Sequence, residues 1–200
     1  SGSLSIAGVS CLALRISFTG DLGWEIYCEA SKQQIVYEAL VTEAINEQGG
    51  PVGSRALMSL RIEKGYGSWS REYSPEVWPH ECGLDKLCKL EKEFLNKGEL
   101  ENKLKTNPRE SLMLIHLNEE DCSSSNADAT GGEPVFKNGK GLGRITSGAY
   151  GYTVGMSLAL GYLRDVIPGD DVEVMVLGQP HRGKVLRASP FDPDGKILRG

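Results

Sequence analysis

From Val9 to Phe18 apolar residues alternate in part with polar ones, with Arg15 and Ser17 on one parity, and Ile6 to Thr19 reads as a core strand. A glycine-bounded turn, Thr19-Gly20-Asp21-Leu22-Gly23, leads into Trp24-Glu25-Ile26-Tyr27-Cys28. A period of two puts Trp24, Ile26 and Cys28 on one face of this second strand and Glu25 and Tyr27 on the other. The period then lengthens. Ser31 and Gln34 fit a capping box, apolar positions recur at Val36, Leu40 and Ala44 and at Tyr37 and Val41, and Gly49 supplies a stop. Ser54 can cap a second helix carrying Leu57, Leu60 and Ile62, with Gly65 ending it. Strand, turn, strand, helix, helix is an α+β order.

Between Gly65 and Leu84 the pattern breaks: Tyr66, Trp69, Tyr73 and Trp78 sit among Gly, Ser and Pro in a long aromatic loop. Loops of that length usually carry function or pack over something. Phe94 to Leu104 reads as a short amphipathic helix, and Lys105-Thr106-Asn107-Pro108 as a boundary. Beyond it helix signals fade. Strands are expected at Ser111–Leu117, Gly143–Thr146, Met156–Leu163, Val172–Leu177 and Gly183–Ala188, with Asp121 to Gly132 polar and flexible. Gly139-Lys140-Gly141-Leu142-Gly143 falls between strands and reads as a hairpin rather than a phosphate loop. The expected fold is therefore an α+β lobe of antiparallel strands with helices over residues 1–107. A small antiparallel β-barrel, or a sandwich, follows over residues 108–200.

Composition narrows the function classes. The 200 residues are 40% hydrophobic and 24% charged, enough apolar content to bury one core or two small ones. Lys plus Arg is 22 against 27 Asp plus Glu, and a net charge of −5 argues against a nucleic-acid partner. No apolar run approaches the roughly 18 to 20 residues of a membrane span, and the N-terminus has no basic segment of the secretory kind. Five scattered cysteines (Cys11, Cys28, Cys82, Cys88, Cys122) form no C-x-x-C, and His80, His116 and His181 lie far apart, so no metal site is expected.

The chain has no G-x-S-x-G, no H-E-x-x-H and no P-loop, and no catalytic residue is assigned. Glu25 is the residue of most interest. Opposite the apolar parity and just past a glycine turn, its carboxylate can face a cavity and accept two hydrogen bonds from an amidine-like edge such as an aminopyrimidinone ring. The alternative is a solvated strand carboxylate. Tyr66 and Trp69 can stack on a flat ligand or simply pack in a core. Arg61 and Glu63 read as structural, pairing or capping within the second helix.

Arg15-Ile-Ser-Phe-Thr-Gly-Asp-Leu-Gly-Trp-Glu-Ile-Tyr27 resembles the R-x-S-[YF]-T-G-E-x-G-[YW]-E-[IL] signature of the tetrahydrofolate-binding glycine cleavage T-protein (aminomethyltransferase) family. Ser59-Leu-Arg-Ile-Glu-Lys-Gly-Tyr66 with Trp69, and Pro79-His-Glu-Cys-Gly-Leu84 with Phe94-Leu-Asn-Lys97, are similar to its next two motifs. Gly143-Arg-Ile-Thr-Ser-Gly148, Leu158-Ala-Leu-Gly-Tyr162 and Val185 to Pro190 resemble its C-terminal barrel. Glu63-Lys64-Gly65-Tyr66 and the ending Ser189-Pro-Phe-Asp-Pro193 look closer to the dimethylglycine and sarcosine dehydrogenase branch.

The resemblance implies tetrahydrofolate as cofactor, a small N-methylated amine as donor, and capture of its one-carbon unit as 5,10-methylene-tetrahydrofolate. It further implies that a flavin half (the FAD site) and the first part of the folate half, with the catalytic Asp, belong to an N-terminal part of the same protein outside this sequence, leaving these residues inactive alone. The compartment it implies is the mitochondrial matrix for a eukaryotic source and the cytoplasm for a bacterial one. Carried over position by position, Glu25 matches the pterin-binding glutamate and Phe18 a ring-contacting aromatic, with Tyr66, Trp69 and Arg55 as further contacts. Leu57 stands where the T-protein proper has an Arg, Lys86 where relatives place an aromatic, and Asn96 where a Gly is usual. Two other functions fit the same architecture: a non-catalytic relative resembling the regulatory subunit of pyruvate dehydrogenase phosphatase, and a free-standing T-protein. The intact T-G-D-x-G-W-E turn speaks against the first and Leu57 against the second.

Overall fold

A computed structural model of the chain describes residues 1–118 and 127–200, so Cys122 and much of the Asp121–Gly132 stretch lie outside the described residues. Strands β1 (Gly2–Ile6), β2 (Val9–Leu14) and β3 (Glu25–Tyr27) form an antiparallel sheet in that order. The expected single strand from Ile6 is in fact the second arm of a hairpin. Ala7 (φ 47°) and Gly8 (φ 79°) reverse the chain between Ile6 and Val9, as two-residue turns with positive φ at both centres do, so pairing starts at Gly2 opposite Ala13. Cys11 and Ala13 are buried on one face of this sheet, while Leu12 on the other is 43% exposed.

Helix α1 (Gln33–Asn46) begins later than its capping box predicted. Ser31 lies in a 3₁₀ turn at Ala30–Lys32 and donates its hydroxyl to Glu29, so no side chain caps the helix. Its apolar residues gather on no single face, so only Val36 is buried, and Tyr37 and Leu40 remain exposed. Helix α2 (Ser54–Glu63) starts after Gly53 and closes with a Schellman pattern: the Tyr66 amide donates to Arg61 O and the Gly65 amide to Ile62 O. The loop that follows holds one 3₁₀ turn, Asp85–Leu87, before α3 (Lys97–Leu104). Phe94 and Leu95 stay outside that helix because Asn96, at φ 64°, turns the chain into it.

Strands β4 (Ser111–Leu117), β5 (Pro134–Lys137), β6 (Lys140–Gly151), β7 (Met156–Leu163), β8 (Asp171–Val176) and β9 (Gln179–Val185) close an antiparallel barrel in the order β4-β7-β6-β5-β8-β9. The expected glycine-rich hairpin is the β5–β6 turn, with Asn138 and Gly139 both at positive φ. Ile115, Leu117, Val135, Leu142, Ile145, Ala159, Leu163, Val174 and Val185 fill the interior. Strand β7 is buried on both faces: Ala159 and Leu163 point into the barrel, and Leu158 and Leu160 pack outward against Ile62 of α2. That double burial explains its near-continuous apolar text. It also seats the lobe on the barrel. A short helix, α4 (Lys196–Arg199), lies in a C-terminal segment that returns to the lobe. Among the described residues no helix is long and apolar enough to cross a membrane.

Candidate functional site

Polar side chains build the turn that leads to Glu25. Ser17 Oγ accepts the Gly20 amide at 2.9 Å, and Thr19 Oγ1 donates to Asp21 Oδ2 at 3.0 Å. Gly20 is buried at φ 89°, and a Cβ there would lie 2.5 Å from Lys64 Cγ and Cδ, so only glycine fits. The turn delivers Glu25 to the start of β3, opposite Leu14, with Tyr27 opposite Leu12. The Tyr27 hydroxyl donates to Glu25 Oε2 at 2.5 Å, and this bond with the nearby negative charge raises the Tyr27 pKa. Among the described residues, the larger cavities are lined by other side chains. Glu25 is exposed, because the sheet buries its Cys11–Ala13 face and leaves the Leu12–Glu25–Tyr27 face open. That side carries Leu12 and Tyr27, and Ile16, Leu22 and Trp24 in the segment between β2 and β3 are exposed as well, each of the five by more than 40%.

The other sequence candidates are spread more widely. Phe18 is half-buried within the turn, and Tyr66 is half-buried just past α2. Trp69 is 72% exposed and touches Tyr73 through a backbone bridge. Arg55, on the first turn of α2, lines a groove of about 700 Å³ against β6, together with Arg71, Asp128, Thr130 and Tyr152. A second cavity, of about 560 Å³, opens on the barrel between His116, Phe136, Lys137, Glu173 and Lys184. Neither cavity is lined by Glu25, Phe18, Tyr66 or Trp69. The structure thus joins Phe18 and Glu25 on one turn and places Arg55 elsewhere. Cys11, Cys28, Cys82 and Cys88 are free thiols.

Arg61 and Glu63 are structural, though not by pairing within their helix. Two residues apart, they leave α2 in different directions. Arg61, fully buried, donates to Glu72 Oε2 at 3.0 Å and to Tyr66 O at 2.9 Å. Glu63 Oε1 accepts the Thr153 amide at 2.8 Å. Glu72, from the aromatic loop, also accepts the Ser68 amide at 2.8 Å, Thr146 Oγ1 at 2.6 Å and the Ser147 hydroxyl, while its carbonyl accepts the Tyr162 hydroxyl at 2.6 Å. Burial pushes the Glu72 pKa up, but the Ser147 and Thr146 hydroxyls, the Ser68 amide and Arg61 outweigh it and hold the group ionised below its usual range. Burial lowers Arg61 more than Glu72 raises it. One residue therefore ties the loop after α2 to two barrel strands, its carboxylate to β6 and its carbonyl to β7. Its only sequence signal is an acid amid aromatics, Gly and Ser, in a loop that also holds Glu76 and Glu81. A second acid in this region, Glu81, is held at about 2 by hydrogen bonds from Arg109.

Comparison with known proteins adds a family to this geometry. Residues 2–92 match the model described as GCVT N-terminal domain, and residues 114–192 match the glycine cleavage T-protein C-terminal barrel domain. Mitochondrial sarcosine dehydrogenase of Mus musculus is 32% identical over 97% of the chain, and mitochondrial dimethylglycine dehydrogenase of Rattus norvegicus is 33% identical over 92%. The chain spans 22% of the length of each. The crystal structure of glycine cleavage system aminomethyltransferase T from Bartonella henselae superposes with a TM-score of 0.79 at 21% identity, covering 90% of this chain and 50% of that one, which is a likeness of fold.

Proposed function

Because the chain belongs to the glycine cleavage T-protein family, we propose that it is the tetrahydrofolate-binding module of a dimethylglycine or sarcosine dehydrogenase-like protein. The supporting observation is the Ser17–Gly23 turn, which leads to a carboxylate, Glu25, on an open face of the sheet beside Tyr27 and Leu12. Residues of this kind suit a reduced pterin. An aminopyrimidinone edge presents two donors, a carboxylate presents two acceptors, and flat apolar neighbours accept the ring. Tetrahydrofolate, when bound, would supply the nitrogens that take up the one-carbon unit after a flavin in another part of the protein has oxidised the N-methyl group by two electrons to the formaldehyde level. Glu25 then orients the ring and fixes its tautomer, Phe18 of the preceding turn contacts the ring, and Tyr27 holds one carboxylate oxygen in place. The gain is positional, since holding the acceptor where the donor is released replaces a chance encounter. Proton transfer is assigned to no residue of this chain.

The exposure of Glu25 also favours a second function, a non-catalytic module whose open face meets another protein. Calorimetric titration of the full-length protein with tetrahydrofolate separates the two. The folate function predicts binding that Glu25→Gln weakens by about 1–3 kcal/mol, through loss of a charge-assisted pair. Unchanged affinity in the variant removes Glu25 from the site, and no binding by the parent leaves the protein-contact function.

A further inference from the structure

Two sequence features 128 residues apart, Glu63-Lys64-Gly65-Tyr66 and Ser189-Pro-Phe-Asp-Pro193, meet in one joint. Lys64 Nζ donates to Asp192 O at 2.5 Å and to Asp192 Oδ2 at 3.1 Å, and both side chains are almost wholly buried. The Phe191 amide donates to Glu63 O at 3.3 Å, and the Phe191 ring lies 5.9 Å from the Lys64 ammonium. Asp192, held at φ 40°, also accepts the amides of Lys196 at 2.7 Å and Leu198 at 3.2 Å, so it organises α4. Arg15, just beyond β2, donates to the carbonyls of Leu198 and Arg199 at the end of that helix. A Cβ placed on Gly200 would touch Arg15 and Leu22 at 3.5 Å. Between these anchors runs the turn that presents Phe18 and Glu25. Its Gly20 rests on the methylene stem of Lys64, whose head Asp192 pins.

We infer that residues 189–200 form a strap that fixes the Ser17–Gly23 turn from behind, with Lys64 as the positioning residue that joins strap to turn. The stem of Lys64 packs the turn and its ammonium locks that stem in place. Among the described residues the side-chain hydrogen bonds of the turn are its own, from Ser17 and Thr19, so its geometry depends on a contact made 128 residues downstream. The strap acts on turn geometry whatever the ligand; its effect on affinity rests on the folate function above.

Lys64→Met keeps a stem and removes the ammonium, Asp192→Asn is milder and keeps the carbonyl acceptor, and Lys64→Arg restores a cation. In the full-length protein, amide hydrogen exchange across residues 16–24 is expected to speed up about tenfold or more in Lys64→Met and less in Asp192→Asn, with β4 and β7 unchanged. Lys64→Arg is expected to return exchange toward the parent. Tetrahydrofolate affinity should fall about three- to thirtyfold in Lys64→Met and recover in Lys64→Arg. Should Lys64→Met fail to fold, Asp192→Asn carries the test. Turn exchange equal to the parent, or acceleration spread evenly over barrel and turn, overturns the strap. A loosened turn in a protein whose Glu25→Gln affinity is unchanged supports the strap and defeats the folate function, so the two fail separately.

Discussion

Replacing Glu72 by Gln removes one charge from a pair in which both side chains are fully buried. Arg61 then keeps the Tyr66 carbonyl alone, because its Nε and Nη2 have no partner among the described residues and lie beyond the reach of solvent. Taking away one partner of such a pair typically costs about 3–5 kcal/mol, most of it the stranding of the other ion. Glutamine retains one carbonyl oxygen for the Thr146 and Ser147 hydroxyls, so the expected loss is near the low end, about 3 kcal/mol. At about 2–4 °C per kcal/mol for a protein of this size, the melting temperature should drop by about 6–12 °C. Thermal unfolding followed by circular dichroism, with urea titration for the free energy, measures it. The double variant Arg61→Met, Glu72→Gln should melt above the single Glu72→Gln variant, since no unpaired cation is left behind. A loss under about 1 kcal/mol in Glu72→Gln, or a double variant that melts lower than the single, refutes a buried charge clamp.

Gly20→Ala should destabilise by about 2–3 kcal/mol, combining the strain of a positive φ with a clash against a pinned lysine stem; a urea midpoint within error of the parent's contradicts that packing. Glu81 and Asp192 both titrate near 2, below their unfolded values of 4.5 and 3.8. Glu81 is lowered by hydrogen bonds from Arg109; for Asp192, burial works upward but the Leu198 amide and Lys64 prevail. Depressed carboxylates contribute stability that is complete above about pH 4.5 and lost as pH falls toward 2. Urea midpoints should therefore fall steeply over that window, and Glu81→Gln should flatten the fall; an unaltered slope in the variant denies Glu81 its share.

Local chemistry made much of this fold legible. Ser111–Leu117 and Met156–Leu163 are read to the residue because polar turns bound apolar stretches of strand length. Four-residue β5, opening on Pro134, offers too little alternation to be seen, and β1 hides behind an Ala7–Gly8 turn that lacks the usual Asn or Asp. The capping box at Ser31 failed because Glu29 took its hydroxyl. In the candidate site, the glycine turn and period-two alternation placed Glu25 at the start of a strand on the face opposite Ile26, since both signals are local. Glu72, Glu81 and Lys64 escaped because their partners lie 74, 28 and 128 residues away, at separations where no spacing rule operates.

An exposed carboxylate is a poor grip for a polar ring, because water competes for every hydrogen bond and a solvated charge pair is worth at most about 1 kcal/mol. A contribution of 1–3 kcal/mol from Glu25 therefore requires that the surface around it become dry in the bound state. The composition of that surface permits this. Leu12 and Tyr27 share the face of the sheet that carries Glu25, and Leu22 and Trp24 are exposed in the segment just before it, area that gains free energy on being covered, at about 25 cal/mol per Å². Burial of apolar area carries a negative heat-capacity change. Titrations of the full-length protein with tetrahydrofolate at several temperatures should then show a binding enthalpy that grows more negative on warming, together with the loss of affinity in Glu25→Gln. A temperature-independent enthalpy would mean that the face stays wet. Glu25 would then be an ordinary solvated strand residue, and its apolar surround would remain available for contact with another protein.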